Sequence, residues 1–107
     1  MKTSEVLRKA ADEIRRRGWH QGANGSNFGD KPNCSVCAVG AIRATLSGGD
    51  PFDSVDFRLE SALGDAVAVA ASASDSLHRW NDDPERTVEE VLDAFEKAAV
   101  AAEAEGN

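Results

Sequence analysis

Large apolar side chains are scarce in this chain, and that scarcity limits what it can fold into. Aromatic residues make up 6% of the sequence and tyrosine is absent, although hydrophobic residues as a whole reach 41%. Alanine fills much of the difference. Small side chains let helix axes approach closely, but each removes little surface from water, at roughly 25 cal/mol per Å² of apolar area. Stability then rests on a few large residues, Trp80 and Phe95 among them, gathering alanine-rich segments around one interior. A chain of 107 residues has material for one such interior and not for two. Residues 1–107 are therefore expected to form a single domain, with 103–107 as a frayed tail.

The apolar spacing is helical. Val6, Leu7, Ala10, Ala11 and Ile14 fall on one stripe behind a cap at Thr3 or Ser4, and Gly18 ends the helix. Trp19 to Asn33 follow as a Gly-, Asn- and Asp-rich loop closed by Pro32, long for so small a domain and hence a place to look for function. A second helix is expected to begin near Asn33 or Ser35, run through Cys37, Ala41 and Ile42, and stop at Ser47-Gly48-Gly49. A third runs from about Ser54 to Leu63, anchored by Phe57 and Leu59, and is broken or kinked at Gly64-Asp65; the alanine content of 66–73 favours helix there too. Asp75 or Ser76 starts a short helix carrying Leu77 and Trp80, which ends at Asn81-Asp82-Asp83-Pro84. Thr87 and Glu90 match a capping box at the head of the last helix, whose stripe is Val88, Val91, Leu92, Phe95 and Ala98 or Ala99. The expected fold is all-α, a single irregular bundle of four or five helices with a long Gly/Asn-rich loop between the first two.

Several function classes fall away. The longest apolar run, Ala66 to Ala71, is far short of the roughly 20 residues that a membrane-spanning helix needs. Glu5, Arg8 and Lys9 interrupt any signal-peptide core, so the protein is expected to stay in the cytoplasm, where two cysteines are normally thiols. The net charge of −7 divides unevenly, with +4 over residues 1–46 and −11 over 47–107. An acidic chain is disfavoured as a nucleic-acid binder. The Arg15-Arg16-Arg17 run reads as a solvated helix end complementing the dipole rather than as a binding patch.

Three residue sets carry chemical possibilities. Cys34-x-x-Cys37 at a helix start resembles a redox pair, since a helix N-terminus favours thiolate, but no βαβ context surrounds it. The plainer reading makes Cys37 a small buried hydrophobe and Cys34 an incidental loop thiol. Adding His20 and His78 gives four residues of zinc-binding type, with the histidines on opposite sides of the pair and far apart in sequence, so no metal or other cofactor is assigned. A cysteine hydrolase could be assembled from Cys37 as nucleophile, His78 or His20 as base, Asn81 or Asp82 to orient it, and Gln21 as oxyanion donor. Trp19 and Trp80 read as core anchors whose indole N–H finds a partner in the neighbouring polar groups.

Three motifs occur in order: Gly18-Trp19-x-Gln21-Gly22-Ala23, Cys37-Ala38-x-Gly40-Ala41-Ile42, and Trp80-Asn81-Asp82-x-Pro84-x-Arg86-Thr87-x-Glu89-Glu90-Val91. In these the chain resembles a family of small uncharacterised proteins of actinobacteria and their phages. The resemblance implies a helical domain without an assigned activity. In that pattern Cys37 is the expected cysteine, Cys34 is an addition, and His20 and His78 occupy open positions, which counts against zinc and against a CxxC redox role. It leaves open a paired site at which Trp19, Gln21, Cys37, Trp80, Asn81 and Asp82 converge, and the physical explanation for such convergence is a long loop that folds over the second helix and is pinned by the Trp80 turn.

The preferred functional reading is a non-enzymatic interaction or regulatory domain that binds another protein through the Trp19 to Asn33 loop or the acidic last helix. The rivals are a cysteine-dependent enzyme or ligand-binding domain centred on Cys37, and a zinc-stabilised binding module. Self-association is left open by the sequence.

Overall fold

The computed structural model describes residues 1–107 and contains five helices. Helix α1 spans Thr3–Arg17, α2 Ala38–Ser47, α3 Phe57–Ala70, α4 Leu77–Asn81 and α5 Val88–Ala104. Ser4 meets Asn107, and Arg8 reaches both Glu96 and Glu103, so α1 and α5 run antiparallel. Helix α2 packs on α1, α3 on α5, and the short α4 closes the bundle against α2 and α3.

The core follows from the shortage of large residues. Phe95, Leu7, Ile14, Ile42 and Leu63 are almost completely enclosed, and Trp80 is 9% exposed. Around them Ala10 and Ala11 of α1 and Ala94, Ala98 and Ala99 of α5 are buried, so the longest antiparallel pair is lined by methyl groups. The resulting Cα radius of gyration, 12.5 Å, matches the roughly 13 Å expected for a compact chain of this length.

Local chemistry sets the helix boundaries. Thr87 and Glu90 form the capping box at α5, each side chain accepting from the other's backbone N–H. Ser76 caps α4 and Asp56 caps α3. Helix α1 departs from expectation, because Thr3 and Ser4 lie inside it and its N-cap, Lys2, makes no side-chain bond. The Asn107 carbonyl does that work instead, accepting from Ser4 N–H at 3.1 Å and Ser4 Oγ at 3.2 Å. The 103–107 segment expected to fray is thereby bonded to the start of the chain.

Two further boundaries need correction. Helix α2 begins at Ala38 rather than near Asn33 or Ser35, because the preceding residues are committed elsewhere. Val36 pairs with Trp19 in an isolated parallel bridge, with His20 N–H donating to Val36 O and Val36 N–H to Gly18 O, both at 3.0 Å. Helix α3 is continuous through Gly64 and Asp65, and its anchors are Leu63 and Val67, four residues apart on one face. Phe57 and Leu59, expected as anchors, are 75% and 45% exposed.

The arginine run also differs from its expected role. The Arg17 side chain has no solvent exposure and donates to the carbonyls of Lys31, Cys34 and Gly49 and to Glu13 Oε2. Arg16 adds bonds to Pro32 O and Asn33 Oδ1. A helix end expected to be solvated instead grips the chain between α1 and α2. Only Arg15, paired with Asp12, stands apart from that segment.

Candidate functional site

Asn81, the last residue of α4, has no solvent exposure. A side-chain amide offers two acceptor lone pairs and two donors, and leaving one unmet in the interior costs about 1–3 kcal/mol. All four are met. Oδ1 accepts from Trp19 Nε1 at 2.7 Å and from Ala38 N–H at 2.9 Å, while Nδ2 donates to the His20 carbonyl at 3.2 Å and to Asp82 Oδ1 at 2.9 Å. One side chain therefore joins α4 to the chain leaving α1 and to the first residue of α2. The opening N–H groups of a helix lack partners within it. Asn81 satisfies that of Ala38, and the Cys37 Sγ accepts from Gly40 N–H at 3.3 Å.

The turn after Asn81 holds the loop. Gln21 Nε2 donates to the carbonyls of Asn81, at 3.0 Å, and Asp83. Gly22, whose φ of 51° lies in the left-handed region that suits glycine, donates its N–H to Asp82 Oδ1 at 2.9 Å. Burial pushes the Asp82 carboxyl up, but the Gly22 N–H, the Asn81 amide and the nearby His78 and His20 outweigh it, and its pKa falls below the ordinary 3.8.

A second set of bonds ties the loop to itself. Ser35 Oγ is 2.8 Å from His20 Nδ1 and accepts from Ser26 N–H at 2.8 Å, while Ser35 N–H donates to Ser26 O. Burial lowers the His20 pKa below 6.5 against the attraction of Asp82. Phe28 lies edge-on to His20 at 5.4 Å and to Phe52 at 5.6 Å. Gly25 makes this possible, because a Cβ there would stand 2.2 Å from the Phe28 ring and 2.7 Å from His20 Nδ1.

Beside this loop is a cleft of about 380 Å³ over the start of α2, whose lining includes Cys37, His20, His78 and Arg43. The two cysteines take opposite roles to those expected. Cys34 is fully buried, its thiol 3.7 Å from Lys31 O, whereas Cys37 is partly exposed. Cys34 sits at a bend, its N–H donating to Asp30 O at 2.7 Å, and the cap position leaves Cys37 at the cleft.

Residues 1–101 match a family described as "Family of unknown function (DUF6197)". The chain belongs to that family. No curated protein and no solved structure matches it.

Of the six residues singled out in this DUF6197 chain, Trp19, Gln21, Asn81 and Asp82 are joined by direct hydrogen bonds. Trp80 neighbours them in sequence but packs into the core, with the Arg86 guanidinium 4.1 Å from its ring centroid. Cys37 adjoins Ala38, which Asn81 holds, yet its thiol bonds only Gly40 N–H. Of the residues drawn for a hydrolase, the Asn81 amide and the Gln21 Nε2 group are engaged in bonds within the fold. The four zinc-type residues do not assemble either, and no group of three or more His, Cys, Asp or Glu side chains is placed to hold a metal ion. Sequence reasoning missed Ser35, Arg17, Arg43, Phe28 and Phe52. Phe28 carried a signal, as a large aromatic in the middle of a polar loop; the others act through partners distant in sequence.

Proposed function

We propose that this DUF6197 chain is a non-enzymatic protein-interaction or regulatory domain of the cytoplasm, of actinobacterial or phage origin as the motif resemblance implies. It engages another protein through the loop between α1 and α2. The observation that carries this reading is the Phe28–Phe52 pair, in edge contact at 5.6 Å yet 39% and 52% exposed. Aromatic rings held at a surface provide contact area at small entropic cost, and the Ser35, Arg16 and Arg17 bonds pre-order the segment that presents Phe28. The commitment of Asn81 and Gln21 to the scaffold further supports a binding role over a catalytic one. The test compares the chain with a Phe28→Ser/Phe52→Ser variant as immobilised baits in one host lysate, with circular dichroism confirming equal helicity. A partner protein should be retained by the first and reduced about tenfold on the second, a loss of roughly 1.4 kcal/mol. Equal retention, or turnover of a substrate by the purified chain, rejects the reading.

A second reading is a ligand-binding domain centred on Cys37. Its support is that the Cys37 thiol and both imidazoles line the same 380 Å³ cleft, a volume near the lower end of the roughly 300–1,000 Å³ typical of small-molecule sites.

A further inference from the structure

Five clefts on the surface of this molecule differ in charge. Four contain at least one Asp or Glu in their walls, as expected for a chain with 19 acidic residues and a net charge of −7. The cleft over the start of α2 contains none, and its charged and titratable members are Arg43, His20, His78 and the Cys37 thiol. We propose that it is a binding site for a small organic carboxylate with an apolar body.

This assignment rests on the Cys37-cleft reading and names the ligand class for it. Arg43 supplies the recognition. Its Nε donates to Glu60 Oε1 at 2.6 Å, which fixes the plane of the guanidinium, while its two terminal nitrogens make no hydrogen bond within the chain. Glu60 is the more enclosed partner, with a side chain 14% exposed against 42% for Arg43, so the pair anchors the arginine from behind and leaves its free edge open. A planar guanidinium edge matches the two oxygens of a carboxylate. A single guanidinium, its charge already shared with Glu60, suits a monoanion better than a phosphate dianion, which is usually met by several Arg or Lys donors. The apolar body has its own surface, because Val39, Pro51 and Phe52 form the wall beside Arg43.

The experiment titrates benzoate and its neutral isostere benzamide separately into the ¹⁵N-labelled full chain, following backbone amides. Benzoate should give saturable shifts at Val39, Gly40 and Phe52, and benzamide should bind at least about tenfold more weakly, the worth of a charge-assisted hydrogen bond. Arg43→Gln should weaken benzoate by a similar factor with the rest of the spectrum unchanged. Equal binding of benzamide at the same amides overturns the carboxylate assignment and leaves the small-molecule cleft standing. No shift at those amides with either compound overturns both. If Arg43→Gln fails to fold, the comparison of the two probes on the unaltered chain decides.

Discussion

At the scale of single residues, Asn81 shows how a polar side chain can hold an interior together when large apolar ones are few. Its four bonds reach three separated stretches of chain. Asn81→Ala strands Trp19 Nε1, Ala38 N–H and the His20 carbonyl together, and at about 1–3 kcal/mol for each group that water cannot reach, the expected loss is roughly 3–5 kcal/mol in urea unfolding. Asn81→Asp keeps the acceptor but sets a carboxylate against Asp82 Oδ1 and the His20 carbonyl, so it too should destabilise. A variant of either kind with unaltered stability would contradict the hub. The cysteines give an independent check of side-chain placement. In native conditions one thiol should react quickly with a disulfide reagent and the other only on unfolding. Cys37→Ser should abolish the fast phase and Cys34→Ser should leave it, whereas equal reactivity of both would show that Cys34 is not enclosed.

At the scale of elements, legibility followed the range of the interactions that define each one. Helix α5 could be read from Thr87, Glu90 and the stripe through Val91 and Phe95 because the cap and the start of the stripe lie within a few residues of each other. The start of α2 could not, since Cys34, Ser35 and Val36 are drawn out of the helix by Asp30, Ser26 and Gly18, up to eighteen positions earlier. In α3 the window 54–63 offered Phe57 and Leu59 as anchors, and only continuation past Gly64 to Val67 reveals which face is buried. The polar site was partly legible. Trp19, Gln21, Asn81 and Asp82 stood out as polar and aromatic residues at helix borders, while Arg17 was hidden because its partners are backbone carbonyls as far away as Gly49. That clamp is testable. Arg17→Met removes donors from three carbonyls and from Glu13, and should cost roughly 2–4 kcal/mol, taking about 1–1.5 kcal/mol per bond partly offset by water at the exposed carbonyls. Amide exchange should accelerate at 30–35 and 48–50 before it does in α5. A uniform acceleration across the chain would instead make Arg17 an ordinary part of the global core.

At the scale of the whole molecule, the opposite charges of the two parts of the sequence meet across the fold. Arg8 pairs with Glu96 and Glu103, Arg43 with Glu60, and Lys31 with Asp50, so much of the +4 and −11 asymmetry is spent internally. Pairs this exposed contribute about 0–1 kcal/mol each and weaken with salt. The pH response should come more from groups at the loop. Burial holds His20 below its ordinary 6.5, so as pH falls through 6.5 the unfolded chain takes up a proton that the folded chain refuses, and stability declines until the lowered folded value is passed. Asp82 is depressed from 3.8, so its contribution is complete above that value and is lost as pH drops through the folded one. Glu90, beside the Thr87 N–H, and Glu103, beside Arg8, are depressed from 4.5 and act with the same sign. Denaturation midpoints should therefore hold steady from pH 8 to about 6.5, slope downward below it, and fall again beneath about 4.5. His20→Gln, which keeps a polar group near Ser35 but cannot titrate, should flatten the first decline and leave the second. If that variant retains the full slope between pH 6.5 and 5, the imidazole is not what couples acid to stability. Because His20 Nδ1 and Ser26 N–H meet at the same Ser35 hydroxyl, acid should then loosen the segment carrying Phe28 before it unfolds the helices.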